Sequence, residues 1–382
     1  MKINMKFLGV SALALALCGC GDGSPAQKAE KAADSAPQTT LADKYSVPKI
    51  AEGAILALEF DQRQIDKLQT VTLGEEKSKE LAKQAWECLS DDLLAVIKAA
   101  GLEDARARWG ALSIGEPALK EDMDLKEVPE VAVSIAIDID VEKTVSAIRE
   151  QLKKDEDDTQ LVEATVGGVK AWKVVDKEGE FAEMKAEPCF AALDGKLFLL
   201  ASNLAALEKQ IKLYRDGVGA SAAFANFTLA KGDLLRLSLK DIGTHVKKVV
   251  PNPEETLKML NAFIPDGDKM ILGLKALDFA ATATADNGVA LKLSLGAASE
   301  KDADQLRTLA KTGLMPLTAQ LKEAAKEDAD AKKNLALVEG LKIAGPEGAF
   351  EASLVIPAAI LKEYAQEAVA KAEKDMAEKP KK

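Results

Sequence analysis

The sequence predicts an α+β fold in which largely antiparallel sheets are covered by long amphipathic helices. Residues 130–138 alternate, with Val131, Val133 and Ile135 on one face and small residues between them, as in a half-buried antiparallel strand. Residues 75–100 instead repeat apolar side chains every three or four positions, as in a helix with one buried stripe. A third observation is that the order of elements occurs twice, which favours a two-fold internal duplication.

The first half begins with a short apolar strand, after which Asp61 is predicted to cap a short helix. Gly101 is expected to end the helix over residues 75–100, and a further helix is predicted over 141–152. A last helix begins at Ser202 or Asn203 and ends at Gly217. Hairpins are predicted around Gly167-Gly168 and around Asp194-Gly195. The predicted strands cover residues 53–60, 109–114, 130–138, 161–166, 169–175, 190–193 and 197–201.

The second half follows a Gly/Ala/Ser stretch at residues 217–223 and repeats this order. Asp241 and Ser299 are predicted to cap helices, the second of which covers residues 300–326. Another helix is predicted over 254–263, and Pro357 is expected at the first position of a helix over 358–376. The predicted strands cover residues 233–239, 270–274, 279–285, 289–295, 335–343 and 350–356.

The strands also predict how the sheets are covered. Helices are expected to cover one face, while the other face meets water or lines a shallow groove. The side chains expected on that second face are small or polar: Ala132, Ser134, Ala136, Thr282, Thr284, Lys292 and Ser294. The alternative to a duplication is that the matching order is a coincidence, which any α+β chain of this size can show.

The N-terminus has the layout of a secretory signal. Lys2 and Lys6 precede an apolar run over residues 7–17, which is too short to span a bilayer. The following Leu17-Cys18-Gly19-Cys20 resembles the lipobox of a bacterial lipoprotein precursor. That resemblance implies that residues 1–19 are a signal peptide and that Cys20 is lipidated and becomes the first residue of the mature chain.

Residues 20–47 are rich in small and polar side chains, so we predict a lipidated disordered tether with a mean reach on the order of 30 Å. The lipid makes the membrane a partner and predicts a location in the cell envelope. Gly21 stands where some lipoproteins of this type carry an inner-membrane retention Asp, which favours the outer membrane if the host has one. The body is predicted as two α+β halves, residues 48–217 and 218–382, and resembles exported bacterial α+β families without an assigned function.

Four cysteines are present, of which Cys18 leaves with the signal peptide and Cys20 carries the lipid. Cys88 and Cys189 remain in a compartment that permits disulfides. Two alternatives stay open: a Cys88–Cys189 disulfide that closes a long loop, or two buried thiols that pack as small apolar groups.

Composition narrows the chemistry. The formal net charge of −11 disfavours nucleic acid as a partner, and aromatic residues make up only 4% of the chain. The single histidine, His245, lies in no recognisable catalytic triad, and the acidic residues lack the spacing of a calcium loop. We therefore predict no catalytic residues, no metal ligands and no cofactor.

These observations predict a membrane-anchored, non-enzymatic lipoprotein with a binding or structural role, whose partner is a protein or an apolar ligand. The alternative is a carrier that holds a lipid or another apolar ligand in a cavity between sheet and helices. Strands rich in Ala, Leu and Val beside long amphipathic helices favour this alternative.

Overall fold

The computed structural model describes residues 44–80, 91–103, 105–119, 125–154, 159–175, 186–250, 252–262 and 264–377. The chain divides into two compact units, and apart from two short segments the first ends at Leu229 and the second begins at Ala230. No helix of the described residues is both long enough and apolar enough to cross a bilayer.

Most strands of the first unit form one antiparallel sheet. Its strand order is β1-β2-β5-β9-β8-β7-β6, while β3 and β4 form a separate pair. The elements are β1 (Ala54–Asp61), α1 (Gln62–Leu73), α2 (Asp91–Ala100), β2 (Trp109–Gly115), β3 (Ala118–Leu119), β4 (Leu125–Glu127), β5 (Val131–Ala136), α3 (Val141–Lys154), β6 (Gln160–Val166), β7 (Val169–Val175), β8 (Cys189–Leu193), β9 (Leu197–Ala201) and α4 (Leu204–Asp216).

Local signals predicted the turns and caps of this unit correctly. Asp61 accepts a hydrogen bond from the Gln64 N–H at the start of α1, and Asn203 accepts one from the Ala206 N–H at the start of α4. Gly217 ends α4 in the left-handed conformation. Both predicted hairpins are confirmed, and their turn residues have positive φ angles: Gly167, Gly168, Asp194 and Gly195.

Both faces of the first sheet are buried, so the prediction that helices cover only one face is wrong for this unit. Helices α2 and α3 cover one face, where Ile97, Ile137 and Phe198 are buried together. Helix α4 covers the other, where Leu199, Leu207 and Tyr214 pack together. The small residues expected at water, Ala132, Ser134 and Ala136, are buried there. Short side chains on the strands leave room for α4, whose residues Leu207 and Tyr214 are buried on this face.

The second unit forms five antiparallel strands in the order β10-β11-β12-β14-β13. Its elements are β10 (Asp233–Lys240), α5 (Ile242–Val249), α6 (Pro253–Leu257), α7 (Gly267–Leu272), β11 (Ala276–Ala283), β12 (Val289–Gly296), α8 (Glu300–Ala324), α9 (Ala329–Gly340), β13 (Lys342–Ala344), β14 (Ala349–Ile356) and α10 (Ala358–Ala377). The antiparallel α+β class is therefore confirmed in both units.

Two predicted strands of this unit are largely helical. The run 270–274 falls mostly in α7, because a short apolar run does not distinguish a strand from a buried helix. Residues 335–340 belong to α9, since Asp328 accepts hydrogen bonds from the Asp330 and Ala331 N–H groups and starts a helix that continues to Gly340. Only β13 remains of the strand that was predicted over 335–343.

Of four further local predictions for the second half, one is confirmed and three differ from the structure at least in part. Asp241 has a φ of 51° and makes no side-chain capping bond, because a left-handed backbone turns the carboxylate away from the helix N–H groups. Pro357 lies immediately before α10 rather than at its first position. Ser299 does cap α8, as predicted. The helix predicted over 254–263 is divided into α6 and a 3-10 turn at Lys258–Ala262.

The five strands of the second unit follow the same order as five of the seven sheet strands of the first. Each unit begins with three strands that are neighbours in the sheet, β1-β2-β5 or β10-β11-β12, and continues with a long helix, α3 or α8. In each unit the last strand, β9 or β14, then pairs with the third strand and leads into a final helix, α4 or α10. The first unit carries the hairpin β6-β7 where the second unit has α9. This common order supports the predicted duplication.

The first unit extends beyond Gly217, the position at which the composition predicts the boundary. Phe224 and Phe227 pack edge to face in its core, 5.7 Å apart, and Ala220 forms a β-bridge with Ala51. The Gly/Ala/Ser stretch is therefore followed by residues that complete the first unit.

Candidate ligand-binding groove

The residues that the sequence predicted as sites lie mainly outside the groove described below. Cys20, the predicted lipidation site, and Cys88 both lie outside the described residues. Cys189, in β8, is fully buried and forms no disulfide within the described residues, and its sulfur is 3.7 Å from the Ala201 carbonyl oxygen. Burial, the largest cause, and the neighbouring Glu187 raise the pKa of this thiol to about 12.

The five strands of the second unit, called the second sheet below, present one apolar face that is only partly covered. The register places most of the large apolar strand residues on that face, since Leu237 pairs with Phe279 and Phe279 with Leu293. We call this surface the open apolar face, and its members are all partly exposed. They are Leu235, Leu237, Leu239, Leu277, Phe279, Leu291, Leu293, Leu295, Ile343, Leu354 and Ile356. Val355, which pairs with Ala290, lies on the opposite face.

The first unit is packed differently, although five of its sheet strands follow the same order. Every residue of β9 is buried, whereas in the corresponding strand β14 only Phe350 is. The buried hydrophobic clusters of the described residues all belong to the first unit. The second unit therefore leaves partly exposed the kind of apolar strand surface that the first unit buries.

The opposite face of the second sheet is largely polar, as the sequence predicted, and it is exposed in part. Lys292 is exposed and forms an ion pair of 2.9 Å with Glu351 on the neighbouring strand. Ser238 and Lys240 both donate hydrogen bonds to Asp278. The alternating pattern that predicted a half-buried sheet thus applies to the second unit rather than to the first.

A groove of about 430 Å³ lies between α8 and the edge strand β13. Residues of α8 at spacings of three and four form one wall, because side chains so spaced share a helix face. Leu341 and Ile343 line the other side. The α8 residues that line the groove are Lys311, Leu314, Met315, Thr318, Ala319 and Lys322.

The groove wall coincides with the weakest part of α8. Pro316 lies within this 25-residue helix, and a proline there removes one backbone hydrogen bond and favours a kink. Gly313 lies three residues earlier, with open space where a Cβ would be. The Thr318 hydroxyl also donates to the Leu314 carbonyl at 2.7 Å, a bond that tends to bend helices.

The first turns of α8 are instead held firmly. Arg307 donates a hydrogen bond of 2.6 Å to the Ala349 carbonyl of β14 and forms ion pairs with Glu300 and Asp304. Glu300 also accepts a hydrogen bond from the Gly348 N–H. These contacts fix one end of the helix on the sheet, so that a movement of the groove wall can be confined to the segment beyond it.

The charges around the groove are unequal. Lys322 forms an ion pair of 3.2 Å with Glu339, which largely neutralises that end. Lys311 is exposed and makes no ion pair or hydrogen bond within the part of the chain that the structure describes. Met315 lies between them on the same wall with 68% of its surface exposed. The groove can therefore bind an apolar chain whose end lies beside the Lys311 ammonium group.

Several polar residues outside the groove have structural roles. Asp140 caps α3 by accepting a hydrogen bond of 3.1 Å from the Lys143 N–H. Asp138 forms ion pairs with Arg108 and Lys196. His245 is partly exposed on α5. No group of three or more His, Cys, Asp or Glu side chains within the described ranges is placed to hold a metal ion.

Sequence reasoning missed the groove for an identifiable reason. The prediction of one long strand over residues 335–343 concealed the helix α9 and left the edge strand beside α8 unrecognised. A signal was nevertheless present, since Gly313 and Pro316 interrupt an otherwise regular amphipathic helix. Such an interruption is costly and often marks a functional or packing constraint.

Comparisons of the chain with protein-family models, with curated proteins and with solved structures find no match.

Proposed function

We propose that this protein is an exported, lipid-anchored binding protein, without enzymatic activity, whose second unit holds an apolar ligand. The open apolar face is the observation that carries the proposal. Apolar surface in contact with water costs a free energy of about 25 cal/mol per Å². A sheet face with eleven partly exposed apolar positions is therefore unfavourable unless a ligand covers it. The volume of the adjoining groove lies within the range of about 300–1,000 Å³ that small-molecule sites occupy.

The proposed location follows from the N-terminal sequence. Cys20 carries the lipid in this proposal, and the tether of residues 20–47 lets the body reach away from the bilayer. A protein held at a membrane has lipids as its most abundant apolar neighbours. The cell envelope, and the outer membrane where the host has one, is therefore the proposed location, with no nucleic-acid partner.

The proposal is tested by native mass spectrometry of the protein purified from the membranes of its own host. We expect a bound species in addition to the lipid on Cys20, released by organic solvent while the covalent lipid stays in place. Hydrogen exchange before and after the release should then differ in β10–β14 and α8, whereas β8 and β9 should be unchanged. Repeated purification without any bound apolar species would contradict ligand binding.

The non-enzymatic part of the proposal needs a separate test. The chain from residue 21, which contains every described residue, should show no turnover in a panel of hydrolase and transferase assays. Turnover that copurifies with the protein through two chromatographic steps would contradict it.

A further inference from the structure

We infer that the groove between α8 and β13 binds a long-chain fatty acid, with its carboxylate at Lys311 and its chain along Leu314, Met315, Ala319, Leu341 and Ile343. This inference rests on the proposed function and names its ligand. The groove supplies the two features that such a molecule needs, namely an apolar channel and a cation at one end.

The shape of the groove suits a single extended chain. Its α8 wall runs from Lys311 to Lys322, a rise of roughly 16 Å along the helix axis. One stripe of a helix forms this wall, and Leu341 and Ile343 form the other, so the apolar lining follows the length of the helix stripe.

The charge of the groove favours an anionic end group. Lys311 is the groove cation without an ion-pair partner among the described residues, because Lys322 is paired with Glu339. Two other basic side chains along this stretch are held by acids: Arg307 pairs with Glu300 and Asp304, and Lys326 with Glu323. Lys301 also lacks an ion pair among the described residues, but it lies outside the groove. The chain is acidic overall, so an unpaired cation beside an apolar channel is an attractive point for one carboxylate.

The wall can adjust to the ligand. Met315 is unbranched and polarizable, and such side chains fit apolar ligands of varied shape. Gly313 and Pro316 flank Leu314 and Met315, so the stretch that contacts the chain is the stretch in which helix hydrogen bonding is weakest. We expect the wall to close on the ligand at this point while Arg307 keeps the start of α8 fixed.

The test measures binding of cis-parinaric acid, a fluorescent long-chain fatty acid, and of its uncharged methyl ester to the delipidated chain from residue 21. We expect the acid to bind more tightly than the ester. Lys311→Gln should weaken binding of the acid about tenfold, the loss expected for one charged hydrogen bond, and leave the ester unchanged. Lys301→Gln, an exposed lysine of the same helix outside the groove, is the matched control and should change neither.

A second variant tests the position of the chain. Ala319→Phe fills the groove and should weaken the acid and the ester alike, while circular dichroism and the unfolding midpoint stay those of the parent. If both probes bind the parent equally and Lys311→Gln changes neither, or if Ala319→Phe has no effect, the inference fails while the proposed function stands. If neither probe binds the parent, both fail.

Discussion

Tyr214 of α4 shows how single polar groups hold the first unit together. Its hydroxyl lies 2.9 Å from the Ser134 hydroxyl of β5 and accepts a hydrogen bond of 2.9 Å from the Lys49 N–H. Its ring stacks on Trp109 at 6.2 Å. Burial, above all, raises the pKa of this phenol far above its usual value. The hydroxyl thus connects a helix, a strand and the N-terminal segment inside the buried core.

Replacing Tyr214 with Phe should lower the free energy of unfolding by about 1–3 kcal/mol, because the Ser134 hydroxyl and the Lys49 N–H would lose a buried partner. Urea unfolding measures this loss. Tyr364→Phe is the matched control: that hydroxyl donates to Asn334 at an exposed site, so the change should cost less than about 0.5 kcal/mol. Equal losses in the two variants would contradict the role given to burial.

Asp194 connects the N-terminal segment to the β8-β9 turn. It accepts hydrogen bonds from Lys44 at 2.9 Å and from Tyr45 at 2.7 Å, and these bonds, with that of Lys44 the larger cause, lower the pKa of its carboxyl. A lowered folded-state pKa means that this stabilisation is present above the unfolded pKa of about 3.9 and is lost as the pH falls through the folded value. Both Lys44 and Asp194 are more than one third exposed, so solvent screening keeps the contribution below about 1 kcal/mol.

Asp194→Asn tests this interaction, since asparagine tolerates the positive φ of 53° at this turn position but carries no charge. The parent should be the more stable protein near neutral pH. The difference should shrink as the pH falls below about 3.9, the unfolded pKa, and vanish once the pH is below the lowered folded pKa of the parent's carboxyl. Urea unfolding at a series of pH values gives the result, and a difference that does not change with pH would argue against the carboxylate.

Cys189 allows the open question about the cysteines to be answered. Because its pKa is raised to about 12 and its side chain is buried, the folded protein should not react with a maleimide at this position at neutral pH. After unfolding without reductant, the chain from residue 21 should take up two maleimide groups, at Cys88 and Cys189, if the thiols are free. No uptake would instead indicate the Cys88–Cys189 disulfide that the sequence left as an alternative.

At the scale of elements, α8 combines a fixed start with a weak middle. Gly313 is helical and has no atom within 4 Å of a built Cβ, so Gly313→Ala should raise the free energy of unfolding by about 0.5–1 kcal/mol. The gain should appear in urea unfolding. If the middle of α8 must adjust to admit a ligand, the same change should slow binding of the fatty-acid probe measured by stopped flow.

Helix caps explain why some element boundaries follow from local sequence and others do not. Ser299 and Asn203 act through hydrogen bonds to N–H groups three residues away, which the chain fixes by itself. Asp241 has a suitable side chain, but its backbone is held in the left-handed region, where it cannot cap. The residue type permits a cap, and the backbone conformation decides whether one forms.

At the scale of the whole molecule, the predicted anchor determines where the protein acts. In its own host, the parent should fractionate with membranes and have an intact mass that includes a lipid on Cys20. Cys20→Ser should abolish that modification and leave an unprocessed chain with residues 1–19 attached. Cys18→Ser is the matched control, since the proposed cleavage removes that residue, and the control protein should be processed and lipidated like the parent. Lipid on the Cys20→Ser protein would contradict the assignment.

The two units show that strands in a similar order can be covered by helices to different extents. In the first, short residues on one face and large apolar residues on the other allow helices to bury both faces. In the second, Lys292, Asp278 and Glu351 occupy one face, and the apolar face is left partly exposed. The difference arises from side chains, since the strand order is similar in both.

The sequence by itself determined the α+β class, the hairpins at Gly167-Gly168 and Asp194-Gly195 and most helix caps, because these depend on residues a few positions apart. It also supplied the N-terminal pattern on which the predicted anchor rests. Only the tertiary structure decided that Ala132, Ser134 and Ala136 are buried under α4, that residues 335–340 are helical, and that Lys311 lies at a groove beside β13. The physical reason is that burial and grooves depend on which distant segments pack together, and hydrophobic packing is not directional enough for a local pattern to identify its partner.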